Sequence, residues 1–144
     1  MADMKTFSKR IIALAGRLDR NTNEAVKKTA IVVDQAVVLA TPVDTGRARS
    51  NWQVGVGVPL RTEIEPYAPG SGLTASESGN AGGAISQGQL AVKGRLPGQP
   101  IYISNNLEYI VSLNEGHSQQ AAAGFVEKAI QTGNAFLRKV RVLK

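Results

Sequence analysis

The chain has 144 residues, of which 42% are hydrophobic and only 5% aromatic, and its 17 basic against 11 acidic residues give a net charge of +6. This length predicts a single domain over residues 1–144, with an aliphatic core. The absence of cysteine excludes disulfides, thiolate metal sites and cysteine nucleophiles. No run of about 20 apolar residues is present, so we expect no membrane-spanning helix and no membrane partner.

A helical pattern runs from Phe7 to Ala40. This range has no proline and a single glycine, and its apolar residues recur close to every 3.6 residues. It predicts a helix of about 34 residues, about 50 Å long. Asn21 and Glu24 have the spacing of a capping box, at which the helix can restart. Residues 30–40 are apolar nearly all round, which predicts burial on several sides, including against neighbouring subunits. Their β-branched content makes a strand the competing prediction.

The segment 41–52, TPVDTGRARSNW, marks the change from helix to strand. Pro42 lacks a backbone N–H and restricts the residue before it, which ends the helix near Ala40. An Asp-Thr-Gly turn follows, and the two arginines after it place cations near its carboxylate. The segment predicts a corner with a local ion pair over a core tryptophan; the alternative is a recognition role for the arginines. The residues of this predicted corner are Asp44, Thr45, Gly46, Arg47, Arg49 and Trp52.

Two strands are predicted after the corner. Residues 52–58 alternate apolar side chains with Gln53, Gly55 and Gly57, which is the period of a half-buried strand. The glycines indicate a bulge or the close approach of another element. Residues 61–65 can continue this strand or pair with it. Residues 101–104 predict a second strand, antiparallel to the first.

The stretch 66–100 contains eight glycines and four prolines. This composition predicts a long Gly/Ser-rich loop without regular structure. The loop is either disordered or a flexible arm that becomes ordered against a neighbouring subunit. Residues 70–75 superficially match a dinucleotide-binding fingerprint, but no strand precedes them and no helix is predicted after them, so we expect no cofactor.

The C-terminal third predicts two more helices. A short helix over residues 107–113 ends at Gly116, and residues 121–137 form an amphipathic helix. The predicted fold class is therefore α+β. A long N-terminal helix packs on a small antiparallel sheet, with a short helix, a C-terminal helix and the long loop.

No arrangement of residues predicts an enzyme. His117 is the only histidine, and residues adjacent in sequence, such as Ser118 beside it, rarely face each other as a nucleophile faces its base. One histidine with Glu115 two residues before it is a poor set of metal ligands. We therefore expect no catalytic residues and no metal ligands.

Two segments resemble the signatures of tail-completion and head–tail joining (neck, minor tail) proteins of long-tailed bacteriophages. The first is the corner segment 41–52. The second is segment 106–118, NLEYIVSLNEGHS, in which a short aromatic-containing helix leads into Glu-Gly-His-Ser. The order and spacing match outside residues 66–100. The chain departs from the pattern after Ser118, where relatives often carry proline and residues 119–124 read QQAAAG.

The resemblance implies a non-enzymatic structural protein of the virion. It lies at the neck or head-proximal tail end, and in the host cytoplasm before assembly. The implied partners are further copies in a ring, which we expect to be hexameric, tail terminator or tail tube proteins, head connector proteins, and passing genomic DNA through non-specific contact. A structural corner or subunit contact is implied for Asp44, Thr45, Gly46, Arg47, Arg49, Trp52, Tyr109, Glu115, Gly116, His117 and Ser118. The alternative function is a basic nucleic-acid-binding module, whose affinity would fall steeply with salt.

Overall fold

The computed structural model describes residues 4–42, 46–68, 74–116 and 123–140, with the side chains of all of these except 74–78. These ranges have the predicted α+β class, with a long N-terminal helix, a two-stranded antiparallel sheet and a C-terminal helix. In chain order the elements are α1 (Met4–Ala40), α2 (Arg47–Ser50), β1 (Gln53–Val56), α3 (Thr74–Lys93), β2 (Ile101–Ser104), α4 (Ile110–Asn114) and α5 (Phe125–Lys139).

Helix α1 is continuous over 37 residues, so the predicted restart at Asn21 and the competing strand at 30–40 are both wrong. The polar residues near its middle serve a tertiary contact. The side chain of Asn23 accepts a hydrogen bond from the Arg95 guanidinium and donates one to the Arg95 carbonyl, 3.4 Å away. A sequence that looks like a cap therefore marks the place where the chain leaving α3 meets α1.

The second half of α1 is covered by α3 and α5 of the same chain. Both helices run antiparallel to α1, since their N-terminal halves meet Val37 and Val38 and their C-terminal ends lie beside Lys27 and Lys28. Burial on several sides was predicted for this half, and intramolecular packing provides it. The buried core cluster consists of Val37, Val38, Trp52, Ala81, Ala84, Phe125 and Ala129.

The sheet pairs Gln53 with Ser104 and Val56 with Ile101, which confirms the predicted antiparallel strands. Strand β1 is shorter than predicted because Gly57 turns the chain with a φ of +85°. The predicted close approach is found at Gly55, where an added Cβ would lie 2.3 Å from the Val58 carbonyl oxygen. The loop after β1 thus folds directly onto the strand.

The prediction of a long unstructured loop over residues 66–100 is wrong, because α3 occupies Thr74–Lys93. The four prolines of the stretch lie outside this helix, at its two ends. Several glycines of α3 face neighbours at distances that allow no side chain. An added Cβ would lie 2.4 Å from the Tyr67 ring at Gly83 and 2.4 Å from the Asp34 carboxylate at Gly88. Glycine here permits close helix packing rather than a turn.

Glycine-to-alanine substitutions in α3 test this explanation. Gly88→Ala adds a methyl group against Asp34 and Val54, and we expect it to lower the free energy of unfolding by about 1–3 kcal/mol. Gly82→Ala is the matched control, since nothing lies within 4 Å of its added Cβ. It should raise the free energy of unfolding by up to about 1 kcal/mol through helix propensity. Urea unfolding of both variants measures the difference, and equal effects would contradict the packing explanation.

Candidate functional site

The predicted corner begins where α1 ends, at the contact between Thr41 and Trp52. The Thr41 hydroxyl donates a hydrogen bond to the Val37 carbonyl (2.6 Å) and accepts one from Trp52 Nε1 (2.8 Å). Both side chains are buried. The indole therefore packs in the core while its only polar atom is satisfied by the last turn of the helix. The prediction of a core tryptophan is confirmed.

Arg49 closes the C-terminus of α1. Its Nε donates to the Thr41 carbonyl and its Nη2 to the Leu39 carbonyl, both at 2.9 Å. The last carbonyls of a helix lack intrahelical donors and carry partial negative charge. A guanidinium at this end is therefore stabilised both by hydrogen bonds to these carbonyls and by attraction to their charge. Arg49 thus ties α2, on which it lies, to the end of α1.

A buried amide holds α3 against the corner. Asn80 Oδ1 accepts hydrogen bonds from the Ser50 hydroxyl (2.8 Å) and the Ala68 N–H (2.9 Å), and Nδ2 donates to the Ala68 carbonyl (2.9 Å). Gly46 precedes α2 with a φ of +77°, and an added Cβ there would meet the Asn80 amide at 2.0 Å. Both its conformation and its neighbour therefore require glycine at this position.

Residues 61–65 neither continue β1 nor pair with it as a strand; two side-chain amides anchor them instead. Asn51 binds the N–H and the carbonyl of Ile64, each at 2.8 Å. Gln53 Nε2 donates to the Thr62 carbonyl at 2.6 Å. On the α3 side, Gln87 binds the N–H and carbonyl of Val54 at 2.9 Å, as a neighbouring strand would. Amide side chains thus satisfy backbone groups that a two-stranded sheet leaves open.

The two signature segments meet at the surface. Arg47 forms an ion pair with Glu63 (2.7 Å), and both line a concavity of about 280 Å³ together with Leu107, Glu108 and Tyr109. The Asn105 side chain also donates to the Ala48 carbonyl at 2.9 Å. Residues more than 50 positions apart in the sequence therefore form one surface.

Glu115, Gly116, His117 and Ser118, for which a corner or subunit contact was predicted, come between α4 and α5 in the chain. Glu115 and Gly116 end α4 at the surface, and Gly116 has a φ of +94°. Asn114 connects the two helices, since its Oδ1 accepts from the Val126 N–H (2.9 Å) and its amide donates to the Glu127 carboxylate (3.0 Å). Asn114 therefore satisfies a free N–H at the start of α5.

The predicted site residues divide into three groups. Gly46, Arg47, Arg49 and Trp52 form the corner together with Asn80, and Tyr109 joins them at the concavity. Glu115 and Gly116 are exposed beyond α4. Asp44, Thr45, His117 and Ser118 lie outside the described residues, so the predicted ion pair of Asp44 with the arginines stays a prediction. Sequence reasoning missed the amides of Asn80, Gln87 and Asn114, whose partners lie 12 to 33 positions away.

Asp34 is a buried carboxyl group beneath the corner. It lies on α1 against Gly88 of α3, which also faces Val54 of β1, and only 2% of its surface is exposed. Its Oδ1 has no hydrogen-bond partner among the described residues. Burial raises the pKa of Asp34 to about 7, because a low-dielectric surrounding disfavours the carboxylate. Burial, and in second place the Asp34 charge, also raise the pKa of Tyr67.

The first half of α1 forms a second surface, away from the corner. Every side chain from Met4 to Arg20 is exposed. Five large apolar residues of this segment are spaced three and four positions apart, which places them on one face of the helix. We call this face the seam; it consists of Met4 (75% exposed), Phe7 (55%), Ile11 (49%), Leu14 (40%) and Leu18 (39%).

Charge is unevenly distributed between the two ends of α1. The basic end comprises the first part of α1 and the C-terminal ends of α3 and α5, where the acids Asp19 and Glu24 face many cations. These cations are Lys5, Lys9, Arg10, Arg17, Arg20, Lys27, Lys28, Lys93, Arg95, Arg138 and Lys139. At the corner, Glu63 and Glu108 line the concavity with Arg47, and two further exposed carboxylates, Glu65 and Glu115, lie in the same two segments of the chain, residues 61–65 and 108–115. We call these four carboxylates the acidic rim; Arg61 lies in the first of the two segments.

Among the described residues, no group of histidine and acidic side chains is arranged to hold a metal ion. No described helix has the length and apolar composition needed to cross a membrane. Comparison of the chain with protein-family models, with characterised proteins and with solved structures gives no match. The seam and the surface at the corner are therefore the features of the molecule that bear on its function.

Conservative replacement of the two corner arginines separates their roles. Arg49→Lys retains the charge but loses the planar fork that reaches two carbonyls, and we expect it to lower the free energy of unfolding by about 1–2 kcal/mol. Arg47→Lys is the control, because lysine can keep an exposed ion pair with Glu63 and the loss should stay below about 1 kcal/mol. Thermal unfolding measures both. A larger loss for Arg47→Lys would contradict the assignment of Arg49 as the helix cap.

The buried Asp34 predicts a pH-dependent stability. The folded protein binds a proton at Asp34 more tightly than the unfolded chain does. The resulting contribution to the free energy of unfolding is therefore complete below about pH 4 and is lost as the pH rises to about 7. Asp34→Asn removes the titration. Its free energy of unfolding relative to wild type should therefore rise across this window, by about 4 kcal/mol at most. Asp19→Asn, on the exposed part of α1, is the control and should stay parallel to wild type in urea unfolding at each pH.

Proposed function

We propose that the protein is a structural component of a tailed-bacteriophage virion, which assembles as a ring at the head-proximal end of the tail and joins head to tail. The observation that supports this most directly is the seam. Five large apolar side chains are exposed on one face of a helix whose other half is packed into the core. Contiguous apolar surface of this kind marks an interaction site.

The seam is not needed to complete the core. The buried cluster draws on α1 only from Val37 and Val38, with Ala25 the first buried residue along the helix. The segment before Asn21 therefore contributes little burial to the chain's own fold. A helix in water gains most of its stability from packing, so this segment is stabilised chiefly by what it binds. An assembly protein, completed by its neighbours, accounts for such a helix.

The surface formed by the two signature segments also supports an assembly role. It combines the exposed aromatic ring of Tyr109 with carboxylates and with the Arg47–Glu63 pair around a shallow concavity. Two buried hydrogen bonds, from Ser50 to Asn80 and from Trp52 to Thr41, hold the first signature segment in place. A rigid frame that presents an exposed, chemically mixed surface suits protein recognition. It offers no proton-transfer pair among the described residues.

The uneven charge favours a second candidate, a basic nucleic-acid-binding module. The basic end, with few acids among its cations, suits contact with a polyanion. Phosphate contacts would give an affinity that falls steeply with salt. This function leaves the seam unexplained, because large apolar side chains gain nothing from a phosphate backbone. In the proposed ring, the cations that line the lumen would meet passing DNA without sequence preference.

Substitutions on the seam test the proposal. Ile11→Gln combined with Leu14→Gln removes two central apolar contacts, and we expect the assembly to dissociate while the melting temperature of the isolated chain changes little. Ile12→Gln is the matched control, because Ile12 is 71% exposed and points away from the seam. Sedimentation velocity of wild type and both variants measures the association. Equal behaviour of the two variants would contradict a role for the seam.

Electron microscopy and particle composition test the function itself. Purified wild-type protein should form rings in negative-stain micrographs, and the protein should be present in purified phage particles. A phage lacking it should accumulate separate heads and tails. Absence of the protein from particles would overturn the proposed function. Sequence-independent DNA binding by a monomer, without rings, would favour the second candidate.

A further inference from the structure

We infer that the seam of one copy docks on the acidic rim of the next copy, so that the protein associates head to tail through two different surfaces. This inference rests on the proposed function, in that it names the contact from which the ring is built. Two observations support it: the seam and the acidic rim carry complementary charge, and they lie too far apart along α1 to meet within one molecule.

The flank of the seam is basic. In heptad notation, the seam residues Met4, Ile11 and Leu18 occupy position a, and Phe7 and Leu14 occupy position d. Arg10 and Arg17 then occupy position g, so these two arginines border the seam on one side. Lys5 and Lys9 fall on the opposite face of the helix. A partner for the seam needs apolar groups flanked by negative charge.

The acidic rim has this composition. Glu63, Glu108 and Tyr109 line the same concavity, and the Tyr109 ring is 42% exposed. Val111, 62% exposed, lies one helical turn before the exposed Glu115. The exposed Tyr109 and Val111 thus lie between two carboxylates of one short segment, residues 108–115. Arg47, the cation that lines the concavity, is already paired with Glu63, and Arg61 lies in the same segment as Glu63 and Glu65.

The rim that receives the seam belongs to a different molecule. From Leu18 to Ala40 the continuous helix covers about 33 Å, so a seam cannot fold back onto its own corner. An antiparallel pair of seams is disfavoured by charge, because the flanking arginines of the two helices meet. A parallel pair gains nothing from these arginines, because they face the uncharged Ala15 and Thr22. Docking of seam on rim leaves one free seam and one free rim in each pair, and such contacts produce a ring when the rotation closes.

Charge reversal on each surface tests the inference with the full chain. Arg10→Glu with Arg17→Glu reverses the flank of the seam, and Glu108→Lys with Glu115→Lys reverses the rim. Each double variant should weaken self-association by about tenfold or more in sedimentation velocity at moderate salt. The variant that carries all four changes, with both signs exchanged, should recover association to within about threefold of wild type. So should an equimolar mixture of the two double variants.

Lys5→Glu with Lys9→Glu is the matched control, since it changes the net charge equally on the face opposite the seam. It should alter association by less than about threefold. All exchanged residues are exposed, and unchanged circular dichroism and melting temperature verify the fold of each variant. Equal weakening by the control would overturn the inference, because it would reduce the effect to net charge.

Three other outcomes would also overturn the inference. If only the seam reversal weakened self-association, the seams would pair with each other. If both reversals weakened self-association but the fourfold variant did not recover it, the seam and the rim would not be in direct contact. A wild-type chain that stays monomeric, yet binds duplex DNA less tightly after each lysine or arginine reversal, would make the seam segment a nucleic-acid surface. Each of these results overturns the inference. If all variants still formed rings, the docking contact would be wrong but the proposed function would stand. If association recovered in the fourfold variant but the protein were absent from phage particles, the docking contact would stand and the proposed function would be wrong.

Discussion

The hydrogen bond from the Trp52 indole to the Thr41 hydroxyl is the constraint on which the rest of the structure depends. It fixes the end of α1 against the start of β1, and Arg49 locks the same junction by binding the last carbonyls of the helix. Once this angle is set, α3 and α5 can both pack on α1 around the buried Val37 and Val38. The indole is buried, so its N–H must be satisfied inside the protein, and the corner has little freedom to open.

Close packing of α3 is the second determinant of the fold, and it has a cost. Glycine and alanine bring the helix backbone near α1 and β1, and Gln87 then reaches the open edge of the strand. The same approach encloses Asp34, whose carboxyl group is deprived of water and titrates near neutral pH. A buried carboxyl with an unpaired oxygen opposes stability above its pKa. The packing that completes the core thus makes its stability dependent on pH.

The two halves of α1 have different tasks. From Ala25 onward the helix is the centre of the packed domain, whereas its first turns extend outward with a full apolar face and a basic flank. The acidic rim lies at the other end of the helix, formed by segments far apart in the sequence. A molecule with two unlike and distant surfaces is suited to associate head to tail, and for this reason we favour a ring over nucleic-acid binding as its function.

The sequence by itself determined α1 from its 3.6-residue period, β1 from its two-residue period and the end of α1 from Pro42, because these signals are local. It also predicted β2 as the antiparallel partner of β1. It misassigned residues 74–93, since composition cannot distinguish a glycine that turns the chain from one that admits a close neighbour, and only the contacts with Tyr67 and Asp34 reveal the difference. It also could not pair Arg47 with Glu63, Asn80 with Ala68, or bring Tyr109 to the corner. Those contacts join residues separated by many positions, and only the tertiary structure decided them, because packing and not sequence spacing determines which distant polar groups meet.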